Sequence, residues 1–92
     1  MTSTAWLIVL PSRMKADGPA GRIDLEKAGA TDWCWLCGGL AIVRTGMSRS
    51  KLYHAVKRQL GADLPLLVVP LADAPKFKGM APGALTWVRE HM

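Results

Sequence analysis

The stretch that decides the fold runs from Thr31 to Thr45 and reads TDWCWLCGGLAIVRT. It contains two segments rich in strand-forming residues, 31–37 and 40–45, which are separated by Gly38-Gly39. The favoured two-residue hairpin turns require positive φ angles, and glycine adopts these without steric cost. The stretch therefore predicts a β-hairpin.

Two further strands are predicted on either side of this hairpin. The run Trp6–Leu10 is continuously apolar and ends at Pro11, which cannot donate to a sheet ladder. The run Leu64–Leu71 contains two prolines, so only Leu66–Val69 is expected to pair fully. Because neither run alternates with polar residues, both are predicted to be buried on both faces, at the centre of the sheet.

Three helices are predicted from the residues that begin and end them and from their apolar periodicity. The clearest is Ser48–Leu60, which a serine can cap and which Gly61 ends. Its apolar residues recur every four positions and form one face: Leu52, Val56 and Leu60. Two shorter helices, Pro19–Ala28 and Pro82–Met92, each carry a proline near the start.

The resulting order is β-α-β-β-α-β followed by a short C-terminal helix. This order predicts an α+β fold of the ferredoxin-like βαββαβ type, with an antiparallel sheet and both helices of the two halves on one face. With 92 residues, the chain suffices for a single domain over residues 1–92. No stretch reaches the ~18 apolar residues of a membrane helix, and two cysteines fit a reducing compartment. We therefore expect a soluble cytoplasmic protein with no membrane partner.

Cys34 and Cys37 have the spacing of a thiol–disulfide site and also of half a zinc site. On a strand, positions three apart point to opposite faces, and no helix N-terminus is there to lower a thiol pKa. A structural zinc site needs four ligands, and only His54 and His91 remain to complete a set. The alternative is a two-cysteine site shared across a dimer. We expect reduced, structural thiols, with no metal and no cofactor.

No catalytic constellation is apparent in the remaining residues. The carboxylates are scattered, the serines lack nucleophile-elbow glycines, and neither a Walker motif nor a dinucleotide fingerprint is present. We therefore expect no enzyme activity.

Several segments together resemble a known family. They are a first strand ending near Pro11, LEKAGA at 25–30, Trp33 leading to GGLAIVRTGMS, then LPLLVVPLAD, FKGM and a closing ALTWVREHM. The chain is similar to the small ferredoxin-like subunit of CRISPR adaptation complexes and to its stand-alone bacterial and phage relatives. The resemblance covers nearly the whole chain, is strongest over 40–92, and implies a ferredoxin-like fold and a symmetric homodimer.

The chain departs from that family where the first strand ends. In many members this strand ends in an aspartate, and the two aspartates of the dimer hold a divalent metal that cleaves phosphodiesters. Here Leu10-Pro11 stands at that position, and the nearest downstream carboxylate is Asp17. A proline offers no oxygen side chain to a hard cation. The resemblance thus implies the fold and the dimer but not the nuclease.

The charge favours an anionic partner, because 12 basic and 7 acidic residues give a net charge of +5. The cations on or near the second helix, with two beyond the last main strand, would form a phosphate-binding surface if they converge: Arg44, Arg49, Lys51, Lys57, Arg58, Lys76 and Lys78. The alternative is an ordinary solvated helix face. Members of the family contact the phosphate backbone of duplex nucleic acid. The resemblance therefore implies binding that is independent of sequence and dependent on salt.

Trp33 and Trp35 are expected to share one face of their strand, with Cys34 and Leu36 on the other. The family dimerises through the sheet face that its helices leave open, and exposed aromatic residues are typical interface anchors. We therefore expect both rings at a homodimer interface. The alternative is that they pack at the sheet edge against a local loop.

Two functions remain open from the sequence. The first is a non-catalytic, dimeric, nucleic-acid-associated protein that resembles the CRISPR adaptation subunit without its metal site. The second is a small protein-binding regulator, such as a phage-encoded inhibitor of the anti-CRISPR type, which docks on a nucleic-acid-targeting complex. A thiol enzyme is the third and weakest candidate.

Overall fold

The computed structural model describes residues 4–11, 23–60 and 64–92. They form a four-stranded antiparallel sheet and two helices, which confirms the α+β class and is compatible with a ferredoxin-like fold. In chain order the elements are β1 Thr4–Val9, β2 Asp32–Cys37, β3 Leu40–Thr45, α1 Arg49–Leu60, β4 Leu67–Leu71 and α2 Ala84–His91. The strands lie side by side in the order β2-β3-β1-β4.

The predicted hairpin is confirmed as β2 and β3, which pair antiparallel and are joined at Gly38-Gly39. The register shifts between Trp35 and Cys37, just before the turn. Gly39 has a φ of +81°, and its carbonyl accepts a 2.6 Å hydrogen bond from the Leu10 amide. The hairpin tip is therefore fastened to the chain directly after β1.

Of the two apolar strands predicted to be central in the sheet, β1 is central and β4 is not. β1 lies between β3 and β4, as predicted for a buried strand, and Ile8 is fully buried. The prediction that β4 is also central is wrong, because β4 is an edge strand and Leu67 is 53% exposed. Its prolines explain the position, since Pro70 lacks an N–H to give to a neighbour and is tolerated at an edge.

The predicted helix Pro19–Ala28 is wrong over the part that is described. Residues 25–29 form turns, residues 23 and 24 are irregular, and residues 19–22 lie outside the described ranges. The Asp24 side chain accepts a hydrogen bond from the Lys27 amide, and Gly29 at a φ of +106° ends the single turn. Gln59 of α1 holds this turn through two hydrogen bonds to the Asp24 backbone, at 2.7 and 2.9 Å. One anchored turn thus replaces the expected helix.

Both faces of the sheet are covered, each by a different helix. Trp6, Ile8 and Val43 point to one face, where they pack with the apolar side of α1 and the turn after residue 23. We call this the α1 face. On the opposite face, Leu36 and Ile42 pack with α2, and we call this the α2 face. The predicted C-terminal helix is therefore confirmed.

Neither helix that the structure describes has the length and the apolar character needed to span a bilayer.

Candidate nucleic-acid interface

Helix α1 is positioned by a short polar connection from β3. The buried Thr45 hydroxyl donates to the Gly29 carbonyl at 2.9 Å and accepts from the Met47 amide at 3.1 Å. Ser48 then precedes the helix, and its hydroxyl accepts from the Lys51 amide at 3.2 Å, which satisfies one of the unpaired donors of the first turn. The cap fixes where α1 begins and which side it turns to solvent.

The charged residues on the solvent side of α1 are all cationic. Its sequence, RSKLYHAVKRQL, contains no acidic residue. The buried side consists of Leu52, Ala55, Val56 and Leu60. The basic residues are all exposed: Arg49, Lys51, Lys57 and Arg58. Opposite charges at i,i+4 stabilise a helix, but none of these cations pairs with a carboxylate within residues 4–11, 23–60 and 64–92.

The structure does not bring all the predicted cations together. Lys76 and Lys78 are exposed and flank Phe77, which packs on the α2 face. They therefore lie on the other side of the sheet from α1. Arg44 is half-buried near the end of β3, directly opposite Asp32 in the β2–β3 register. Of the predicted cations, those of α1 share one helix and are all exposed.

A cavity of about 390 Å³ opens beside the first turns of α1. The helix contributes Arg49, Ser50 and Tyr53, and the chain entering β4 contributes residues 66–68. The Lys57 ammonium lies 5.8 Å from the centroid of the Tyr53 ring. A mixed cavity of cationic, hydroxyl, aromatic and apolar groups thus adjoins the cationic surface. Sequence reasoning missed it because its two walls are remote in sequence.

Trp33 and Trp35 lie on the α1 face, where both are half-buried against the main core. Their expected placement on the face that points away from the helices is therefore wrong. The alternation itself holds, because Cys34 and Leu36 lie on the α2 face. The reason for the error is that the two helices cover opposite faces, so the tryptophan side of β2 is not the open side.

Pro11 is the second residue after the end of β1 and lies against the hairpin tip. A Cβ atom built at Gly39 would be 2.5 Å from the Pro11 carbonyl oxygen and 2.6 Å from that of Leu10. No group of three or more metal-binding side chains occurs among the residues that the structure describes. The end of β1 is thus occupied by closely packed backbone and presents no carboxylate of its own.

Both cysteines are free thiols, in different surroundings. Cys34 is half-buried, and burial raises the pKa of its thiol. Cys37 is exposed at the end of β2. A raised pKa leaves less thiolate at neutral pH, which is the opposite of what a reactive cysteine needs.

A polar cluster at the far end of the sheet was not foreseen from the sequence. His91 stacks on Trp87 at 4.5 Å between ring centroids, and its Nδ1 donates to the Trp87 carbonyl at 2.9 Å. Its Nε2 lies 4.0 Å from Asp32 Oδ1. Together with Arg44 and Asp73, His91 borders a cavity of about 360 Å³. The i,i+4 spacing of Trp87 and His91 was the signal for the stack.

Comparison of the chain with protein-family models, with curated proteins and with solved structures finds no match.

Proposed function

We propose that this chain is a non-catalytic, nucleic-acid-associated protein that binds phosphates through the solvent side of α1. The observation that supports the proposal is the one-sided charge of this helix, with four exposed basic residues and no acidic one. Lysine and arginine arranged along one surface neutralise phosphates and release counterions, which drives binding without reading sequence. Lys76 and Lys78 are not part of this surface.

The proposal includes the ferredoxin-like βαββαβ architecture and a homodimer. The antiparallel sheet with two helices is compatible with that architecture. Supporting the dimer, three neighbouring apolar residues on the α2 face, Val9, Leu67 and Val69, belong to neither buried cluster. Among the described residues, Leu67 is the most exposed large apolar side chain, at 53%. We place the interface there, and not at Trp33 and Trp35.

The proposal assigns no catalysis and a cytoplasmic location. Pro11 supports the first part, because it replaces the carboxylate that the resembled family uses to hold its metal. The cytoplasmic location rests on the low cysteine content of the chain.

The test is binding of a fluorescent generic duplex, measured by anisotropy over a series of salt concentrations. We expect affinity to fall as salt rises, with a slope of about 0.9 in log–log form for each phosphate contact. The double variant Lys51→Gln/Arg58→Gln should lower that slope by roughly twice this amount. The matched control, Lys76→Gln/Lys78→Gln, removes the same charge from the other side of the sheet and should leave the slope unchanged.

An equal loss of slope in both double variants would show that only net charge matters, and would refute the assignment to α1. No binding to duplex or single strand at low salt would refute nucleic-acid binding altogether.

A second candidate is a protein-binding regulator, such as an anti-CRISPR-type inhibitor of a nucleic-acid-targeting complex. The observation that favours it is apolar exposure, with Leu67 at 53% and Leu85 at 46%. Interfaces between proteins combine apolar anchors with a charged rim, and the cationic side of α1 would suit an acidic partner surface. Failure to bind any nucleic acid would favour this candidate.

A further inference from the structure

We infer that the cavity beside α1 receives an unpaired nucleobase, so that the preferred ligand is single-stranded nucleic acid. The inference rests on the proposed function, because the cations of α1 supply the phosphate binding that brings a strand to the cavity. It goes further by naming the state of the nucleic acid, which backbone contacts alone do not distinguish.

The chemistry of the cavity suits a base better than a phosphate chain. Its volume of about 390 Å³ lies in the range of small-ligand pockets, roughly 300–1,000 Å³. Leu66 and Val68 give it an apolar wall, since both pack against the main core from this side. Tyr53 adds an aromatic ring, while Arg49 and Ser50 add hydrogen-bonding groups. A nucleobase has the same combination of an apolar ring face and a polar edge.

The cations are placed to hold the phosphates of the same strand. Arg49, Tyr53 and Lys57 follow one another at intervals of four, so they form a stripe along α1 of about 12 Å at 1.5 Å per residue. The Lys57 ammonium lies over the Tyr53 ring, 5.8 Å from its centroid, and Arg49 stands one turn before Tyr53 on α1. A base at Tyr53 would therefore have a cation available toward each neighbouring phosphate. Alternating cations and aromatic rings are typical of single-strand binding surfaces.

An extended peptide is a poorer occupant of this edge of the sheet. Peptides that add to a sheet use the free N–H and C=O groups of an edge strand. In β4, Pro70 removes one N–H, and Pro65 stands just before the strand. Proline on an edge strand is a device that discourages such pairing. The cavity is thus suited to a ring that enters it, whereas the β4 edge is poorly suited to a peptide that adds a further strand to the sheet.

The test compares three fluorescent probes of equal length at low salt: a thymidine single strand, the same strand made entirely of abasic sites, and a duplex. The abasic strand keeps the phosphates and removes the rings. We expect it to bind at least about fivefold more weakly than the thymidine strand, the lower end of what one stacked base contributes. Tyr53→Leu should bring the thymidine strand down to the abasic level, while Tyr53→Phe, which keeps the ring, should retain the preference.

The outcomes distinguish failure of the base-binding inference from failure of the proposed function. Equal binding of the thymidine and abasic strands overturns the inference and leaves phosphate binding by α1 in place. A preference that persists in Tyr53→Leu also overturns it, because the base then binds elsewhere. Unchanged abasic binding by this variant serves as its folding control. No binding of any probe, together with binding of a polyglutamate peptide, overturns the proposed function as well and points to an acidic protein partner.

Discussion

Gly39→Ala is expected to destabilise the fold by about 3 kcal/mol, and the structure shows where this loss arises. Gly39 has a φ of +81°, a region that costs a residue with a Cβ roughly 1–2 kcal/mol. The new Cβ would also lie 2.5 Å from the Pro11 carbonyl oxygen. To reach an ordinary contact of 3.4 Å, the hairpin tip and the end of β1 must separate by about 0.9 Å.

That separation has a second cost. It would lengthen the hydrogen bond from the Leu10 amide to the Gly39 carbonyl from 2.6 Å to about 3.5 Å, beyond useful length. A lost hydrogen bond of this kind costs about 1 kcal/mol, and more when the donor is left buried. Leu10 is only 6% exposed, so its amide gains little from solvent. The stiffer unfolded chain of the alanine variant offsets roughly 0.4–1 kcal/mol of the total.

The control is Gly79→Ala. Gly79 has a similar φ of +76°, but a Cβ there would meet none of the described residues within 4 Å. This variant therefore carries the backbone strain alone, and we expect a loss of about 1 kcal/mol or less. For a domain of this size, a loss of about 3 kcal/mol lowers Tm by roughly 12–24 °C. Urea or thermal unfolding followed by circular dichroism measures both variants, and equal losses would refute the close packing of the hairpin tip on Leu10-Pro11.

Four further predictions concern the proposed dimer interface, the reactivity and the pH response of the thiols, and the expected lack of nuclease activity. Leu67→Arg should convert the proposed dimer to a monomer in analytical ultracentrifugation; if Trp33→Ala does so and Leu67→Arg does not, the interface lies on the α1 face. Iodoacetamide should modify the exposed Cys37 before Cys34, whose thiol pKa is raised by burial, and equal rates would contradict this. The Cys34 thiol binds its proton more tightly in the folded state than in the unfolded state. The free energy of unfolding should therefore fall as the pH rises through and above 9.0, the ordinary pKa of a thiol. Added magnesium or manganese should produce no cleavage of DNA or RNA, and robust cleavage would show that Pro11 does not mark a lost metal site.

The local elements of the fold were predictable because their signals are local. Glycine pairs, caps and four-residue periodicity gave the hairpin β2–β3 and both helices. The central place of β4 was not, because a fully apolar run looks the same whether it lies at the middle or the edge of a sheet. The prolines of this segment distinguish the two cases, because proline is tolerated mainly on edge strands. The sequence-based prediction used them only to shorten the strand.

The candidate site was predictable in part, for a related reason. A helix carries its own polarity in sequence, so the cations of α1 were found together on its solvent side. Which face of the sheet that helix covers depends on crossover geometry, and this geometry decides where the other predicted site residues lie. Lys76 and Lys78 lie on the side of the α2 face, and Trp33 and Trp35 lie on the α1 face. The cavity at Tyr53 joins residues from α1 and from the start of β4, and no spacing in the sequence records that meeting.

The unequal cores on the two faces of the sheet imply that the molecule opens in stages. Among the residues that the structure describes, the core under α1 contains thirteen buried residues, whereas the one under α2 contains four: Leu36, Ile42, Ala84 and Val88. The free energy of local opening follows the apolar contacts that an element must give up. Amide hydrogens of α2 should therefore exchange with solvent well before those of α1, through a state in which the C-terminal helix has lifted away. In that state the hairpin and the cationic helix keep their arrangement, and a strip of the sheet around Ile42 is uncovered.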